Sequence, residues 1–178
     1  MASSAEAPLD PAEVARLHDL AGTTLEGTPE GRGLRVAVAC AEFNGAVTTR
    51  LLEGCLLELA DLGVDIADVI VAWVPGAFEL PLAARAFATA ETGFAAVIAL
   101  GAVIRGETGH YEVVANECAR GVQEVAVVTG KPVVFGVLTC ESLGQALERS
   151  APDETNKGRD AARAAVQMAR LLERPQLQ

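Results

Sequence analysis

The chain has 178 residues, 51% of them apolar, which suits one domain with a buried core. Its formal charge of −10, with no basic stripe to displace counterions, excludes a nucleic-acid binder. Apolar runs such as AAVIALGAVI are about ten residues long, too short to span a bilayer, and the opening MASSAEAPLDPAEVARLHDLAG lacks the basic and then apolar stretches of a secretory signal, so a cytoplasmic protein is expected.

Residues 1–32 are polar, with Pro, Gly and Thr throughout, and read as an N-terminal arm carrying a short helix over 11–20. From residue 33 to 178 the pattern becomes that of one α/β domain. LRVAVACA at 34–41 predicts a buried strand. Val47, Leu51, Leu52, Cys55, Leu56 and Leu59 recur at helical spacing and predict a helix over 46–62, stopped by Gly63. DVIVAWV at 68–74 predicts a second buried strand, and PGAF at 75–78 a turn leading into a helix that ends near 92. A third strand is expected at 95–104, a Gly-rich loop at 105–110, a long helix at 111–129 and a fourth strand at 132–140. Helices over 142–149 and 156–173 close the chain. Strands alternating with helices predict a small doubly wound, parallel four-stranded sheet flanked by helices, with right-handed crossovers.

In such sheets ligands bind at the carboxyl ends of the strands, near the point where the strand order reverses. That rule nominates the loops at 41–45, 75–79, 101–110 and 138–142. A lone Phe is more often a plug of core or interface. Phe43, Phe78 and Phe135, however, all lie at or beside strand ends, and the first two stand among polar and turn residues. His110 closes the third loop. A single His at a helix start is often only a surface residue. Here Gly106 and Gly109 permit close backbone approach, and Thr108 with the first amides of the helix suits an anion. An imidazole beside an anion cradle points to acid–base chemistry. The basic residues are twelve Arg and only two Lys, Lys131 and Lys157. An acidic protein that handles an anion must gather such cations at one place. The four scattered cysteines show no CxxC and no Cys/His metal spacing, and read as buried neutral thiols. No metal site is expected.

Five segments then stand out: FN (43–44), WVPGAFELPLA (73–83), ALGAVIRGETGHYEVVANE (99–117), FGVLTCESLGQALERS (135–150) and NKGRDAA (156–162). In order and spacing they resemble the 6,7-dimethyl-8-ribityllumazine synthases of riboflavin biosynthesis, over about residues 33–173. The resemblance implies a flavodoxin-like sheet extended by a neighbouring subunit's N-terminal strand. It implies assembly as pentamers, pairs of pentamers or shells of twelve pentamers, with riboflavin synthase as a possible enclosed partner. It implies condensation of 5-amino-6-(D-ribitylamino)uracil with 3,4-dihydroxy-2-butanone 4-phosphate, without metal or organic cofactor.

Carried onto this sequence, the resemblance makes Phe43 the ring that stacks on the pyrimidine. Ala77, Phe78 and Glu79 become the turn around the ribityl chain, and Ala102, Val103 and Ile104 the strand end that lines the uracil. Glu107 and Thr108 match the phosphate turn, and His110 matches the proton donor and acceptor. Phe135, Arg149 and Lys157 match residues lent by the adjacent subunit, with Arg149 clamping the phosphate. One stretch departs from the pattern: SAPDET (150–155) stands where many shell-forming relatives have a Gly-rich, Lys-containing turn. Its length suits a shell and its composition does not. A flavin or lumazine carrier without turnover, or a container whose role is structural, are the alternatives. The presence of both His110 and Arg149 weighs against the carrier.

Overall fold

The computed structural model describes residues 10–178. Helix α1 (Pro11–His18) starts at Asp10, whose side chain accepts from the Ala12 N–H, and it buries none of its residues. The domain then runs β1 (Val36–Ala41), α2 (Gly45–Asp61), β2 (Val69–Val74), α3 (Leu80–Ala88), β3 (Ala96–Ile104), α4 (His110–Thr129), β4 (Val133–Cys140), α5 (Leu143–Arg149) and α6 (Lys157–Leu172). Single 3-10 turns occupy Ile66–Asp68, Ala77–Glu79 and Pro175–Leu177. The four strands pair in parallel in the order β2-β1-β3-β4. The chain therefore moves outward from β1 to β2, then crosses back to β3, and the order reverses between β1 and β3.

The two faces of the sheet are built differently. Val36, Val38, Cys40, Ile98 and Leu100 pack against Leu51, Cys55 and Leu59 of α2 and against a run of alanines on α6, Ala161, Ala162, Ala165 and Ala169. On the other face the strands offer smaller residues, Ala37, Ala39, Ala41 and Ala99, which let α3 and α4 settle close. The two helices also meet one another: a Cβ at Gly121 would stand 2.8 Å from the Pro81 ring. Phe87 and Phe94 close the bottom of this layer edge to face, their centroids 5.5 Å apart.

One buried charge cluster joins α2 to α6. Glu58, almost wholly buried, accepts from Arg159 at 2.6 Å and from Arg163 at 2.6 and 3.0 Å. The chain before β1 lies over α6. Arg170 donates to the carbonyls of Glu30 and Arg32, and Arg174 donates to that of Glu26.

Two expectations are corrected. The helix expected to end near 92 stops at Ala88. The 68–74 segment is not a buried strand: β2 is an edge strand with Ile70 and Trp73 substantially exposed. An unbroken apolar run looks the same whether a strand is central or at an edge with one side open.

Candidate functional site

Three strand ends converge on one hollow of about 660 Å³. It lies at the carboxyl ends of β1, β2 and β3, above the reversal of strand order, and α4 points its N-terminus at it. Phe43, Ala77, Phe78, Glu79, Ala102, Val103, Ile104, Thr108 and His110 all line it. Glu107 sits on the same loop, exposed and outside the lining.

Local structure explains how each group is presented. Beyond β1 the ladder with β2 continues for one more turn: the Glu42 N–H donates to the Val74 carbonyl at 2.8 Å and the Phe43 N–H to the Pro75 carbonyl at 3.2 Å. This holds Phe43 at the rim, where its ring is 71% exposed. Such a ring is free to stack on a flat ligand. Asn44 follows at φ 61°, the only non-glycine with positive φ among the described residues. It gains a compensating bond, its Nδ2 donating to the Ala102 carbonyl at 2.8 Å. That bond fixes the β1–α2 turn to the end of β3. Phe78 stands on the 3-10 turn with half of its surface exposed.

His110 is the first residue of α4. Gly109 precedes it and caps the helix with no side chain, so the first amides of a twenty-residue helix are left for a ligand. A Cβ at Gly106 would meet nothing within 4 Å, so this loop has open space above it. The loop is braced from beneath by Arg105, which pairs with Glu112 on the first turn of α4 and with Glu141 beyond β4 at 2.6 Å. Its guanidinium also stacks over the Tyr111 ring, 4.2 Å from the centroid. The Arg105 pairing holds the Glu112 carboxyl below its usual range.

Phe135, Arg149 and Lys157 are not in this hollow. They line a second one, about 430 Å³, along the open edge of β4 and the start of α6. The two hollows share no lining residue. In the second, Lys157 is paired with Asp160 at 2.8 Å, whereas Arg149 donates only to its own helix, to the Gln145 carbonyl at 3.2 Å, with Glu148 at 4.0 Å. The guanidinium is the less committed cation of the two. In the departing stretch, Glu154 pairs with Arg163 at 3.0 Å, and Asp153 accepts from the Thr155 N–H and hydroxyl.

All four thiols are free and buried. Burial pushes Cys40 and Cys55 up to about 12 and Cys118 up to about 11. Among the described residues no three His, Cys, Asp or Glu side chains gather as a metal-ligand set, and no helix is long and apolar enough to cross a membrane.

Asn44, Tyr111 and Val113 line the first hollow; from sequence Asn44 stood out only as part of the FN motif, and none of the three was given a role. Asn44 carried a usable signal, since Asn tolerates the left-handed region and here sits between a strand end and a helix start. Tyr111 and Val113 read only as helix.

Comparison with known proteins shows the family. The family model described as 6,7-dimethyl-8-ribityllumazine synthase matches residues 33–173. Two proteins of that name, from two strains of Thermus thermophilus, are each 49% identical to the chain over 150 residues, which is 84% of this chain and 95% of theirs. The chain therefore belongs to the 6,7-dimethyl-8-ribityllumazine synthase family.

Proposed function

We infer that the protein condenses 5-amino-6-(D-ribitylamino)uracil with 3,4-dihydroxy-2-butanone 4-phosphate to 6,7-dimethyl-8-ribityllumazine, releasing phosphate and water. The observation that carries this reading is the hollow at the strand-order reversal, lined both by an exposed Phe ring and by a single imidazole at an uncapped helix start. Phe43 stacks on the pyrimidine. Phe78 and Glu79 hold the ribityl chain, with the carboxylate accepting from sugar hydroxyls. The Ala102–Ile104 strand end lines the uracil edge. The 106–109 loop and the first α4 amides receive the phosphate, with Glu107 directed outward.

The chemistry is a series of proton transfers. The uracil amine adds to the ketone carbon, and water leaves to give an imine. A proton is lost from the adjacent carbon and phosphate departs from the next one. The enol so formed takes a proton at its terminal carbon and becomes a ketone, on which the ribityl-bearing nitrogen closes the ring with loss of a second water. His110 gives and takes these protons. Holding both reactants in one hollow supplies much of the remaining acceleration.

The site is completed between subunits of a ring. Phe135, Arg149 and Lys157 line a hollow at the opposite, open edge of the sheet, and a neighbour's copy of that edge brings them to His110. This reading also gives β2 a cover, because an N-terminal arm from a neighbour adds a strand to its unpaired edge. A soluble ring assembled in this way belongs in the cytoplasm.

Mixing the purified protein with both substrates and following lumazine absorbance and fluorescence tests the reaction. Wild-type protein forms the product, and His110→Ala slows it by roughly a hundred- to ten-thousand-fold. No product from wild-type protein would overturn the reading.

A further inference from the structure

Asn156 is a polar side chain that the reaction does not call for, yet it is only 1% exposed and carries four hydrogen bonds. Its Oδ1 accepts from the Gly158 N–H at 2.8 Å and so caps α6. Its Nδ2 lies 3.1 Å from the Arg50 carbonyl, 3.2 Å from the Ser150 carbonyl and 2.9 Å from the Ala151 carbonyl. Two N–H donors thus serve three acceptors, one bond being shared. Two of those acceptors directly follow Arg149. Lys157 directly follows Asn156. The third acceptor belongs to α2, in the body of the domain.

The surroundings are shaped for this amide. A Cβ at Gly54 would stand 2.5 Å from Asn156 Oδ1, and a Cβ at Gly158 would stand 1.9 Å from the Leu51 carbonyl oxygen. Both positions must lack a side chain for Asn156 to reach its partners. An N-cap alone requires only the oxygen, and Ser or Asp would supply it. The amide nitrogen does something else: it ties the end of α5 and the start of α6 to one point on α2.

We propose that Asn156 is a positioning residue for the anion end of the reaction, setting the relative placement of the Arg149 guanidinium and the Lys157 ammonium. This rests on the reading of those two cations as phosphate ligands. Arg149 extends from the last residue of a seven-residue helix and Lys157 from the first of the next. Between them runs the 150–156 turn, and the Asn156 amide spans its two ends. Releasing the amide lets the turn relax, and the two cations lose their common geometry while the pyrimidine hollow, built from other strand ends, is left intact.

The test uses Asn156→Asp and Asn156→Ser in the full-length protein, each alone and combined with Arg149→Ala. Both keep an oxygen for the Gly158 N–H and remove the three-carbonyl donor. Each single variant should raise KM for the butanone phosphate about tenfold, as expected for loss of one charge-assisted hydrogen bond. KM for the pyrimidine should stay unchanged, and inhibition by inorganic phosphate should weaken in parallel. On the Arg149→Ala background the Asn156 substitutions should cost clearly less than on the wild type, the remainder being what Lys157 loses. Additive effects, or an equal rise in both KM values, would overturn the assignment. Failure of both variants to fold would make Asn156 a folding determinant only, and would overturn it too. An Arg149→Ala protein with normal phosphate kinetics would remove the reading of Arg149 itself, a result distinguishable from the others because it appears without any change at Asn156.

Discussion

A site divided between two chains can be rebuilt from two impaired proteins. His110→Ala removes the imidazole from one hollow, and Arg149→Ala removes the guanidinium from the other. In a ring where each subunit presents the first hollow to the second hollow of its neighbour, a site is intact when an Arg149→Ala chain is followed by a His110→Ala chain. With equal amounts and random order, each condition is met half the time, so about a quarter of the sites regain both groups, whatever the size of the ring. The experiment dissociates both variants in mild denaturant, mixes them, restores the assembly and measures the initial rate of lumazine formation. The mixture should reach about a quarter of the wild-type rate, while each variant carried alone through the same treatment remains low. If both groups act from the same chain, every site in the mixture lacks one of them. A mixture no faster than the mean of the two variants would therefore refute the shared site.

Two further outcomes follow from packing and charge. Glu58→Ala removes the shared buried acceptor of Arg159 and Arg163, which keep Asp61 and Glu154 as partners, and should destabilise the fold by about 2 kcal/mol, less than breaking an isolated buried pair; chemical denaturation measures this, and an unchanged midpoint would contradict it. The buried thiols set an alkaline limit. Their folded-state pKa values of about 12 (Cys40, Cys55) and about 11 (Cys118) lie above the unfolded value, so their contribution is complete below about pH 8.5 and is lost as pH rises toward those values. Melting temperature should fall across that window, and less steeply once the three are replaced by Ala.

Much of the architecture was legible because hydrophobic spacing reports burial. Leu51, Cys55 and Leu59 mark the inner stripe of α2, and the Val-rich runs mark β1 and β3, both covered on two faces. The same signal misjudged β2, since Ile70 and Trp73 are as apolar as any core residue and only their place at the edge exposes them. The loops of the site followed from the rule for parallel sheets, and Phe43, Phe78 and His110 do share one hollow. Arg149 and Lys157 were legible only through motif likeness. Nothing in their spacing says that they face away from His110, along the far edge of β4. Asn44 and Asn156 were the hardest. Each acts through a carbonyl distant in sequence, Ala102 for the first and Arg50 for the second, and no local pattern announces a partner 106 residues away.

The chain contains one tryptophan, and it stands half-exposed on the open edge of β2. Indole emission moves to the blue when water is taken from the ring, so a strand laid along this edge by another copy changes the colour of the protein's own light. The single indole is therefore a built-in gauge of whether such pairing takes place, readable in dilute solution without a label.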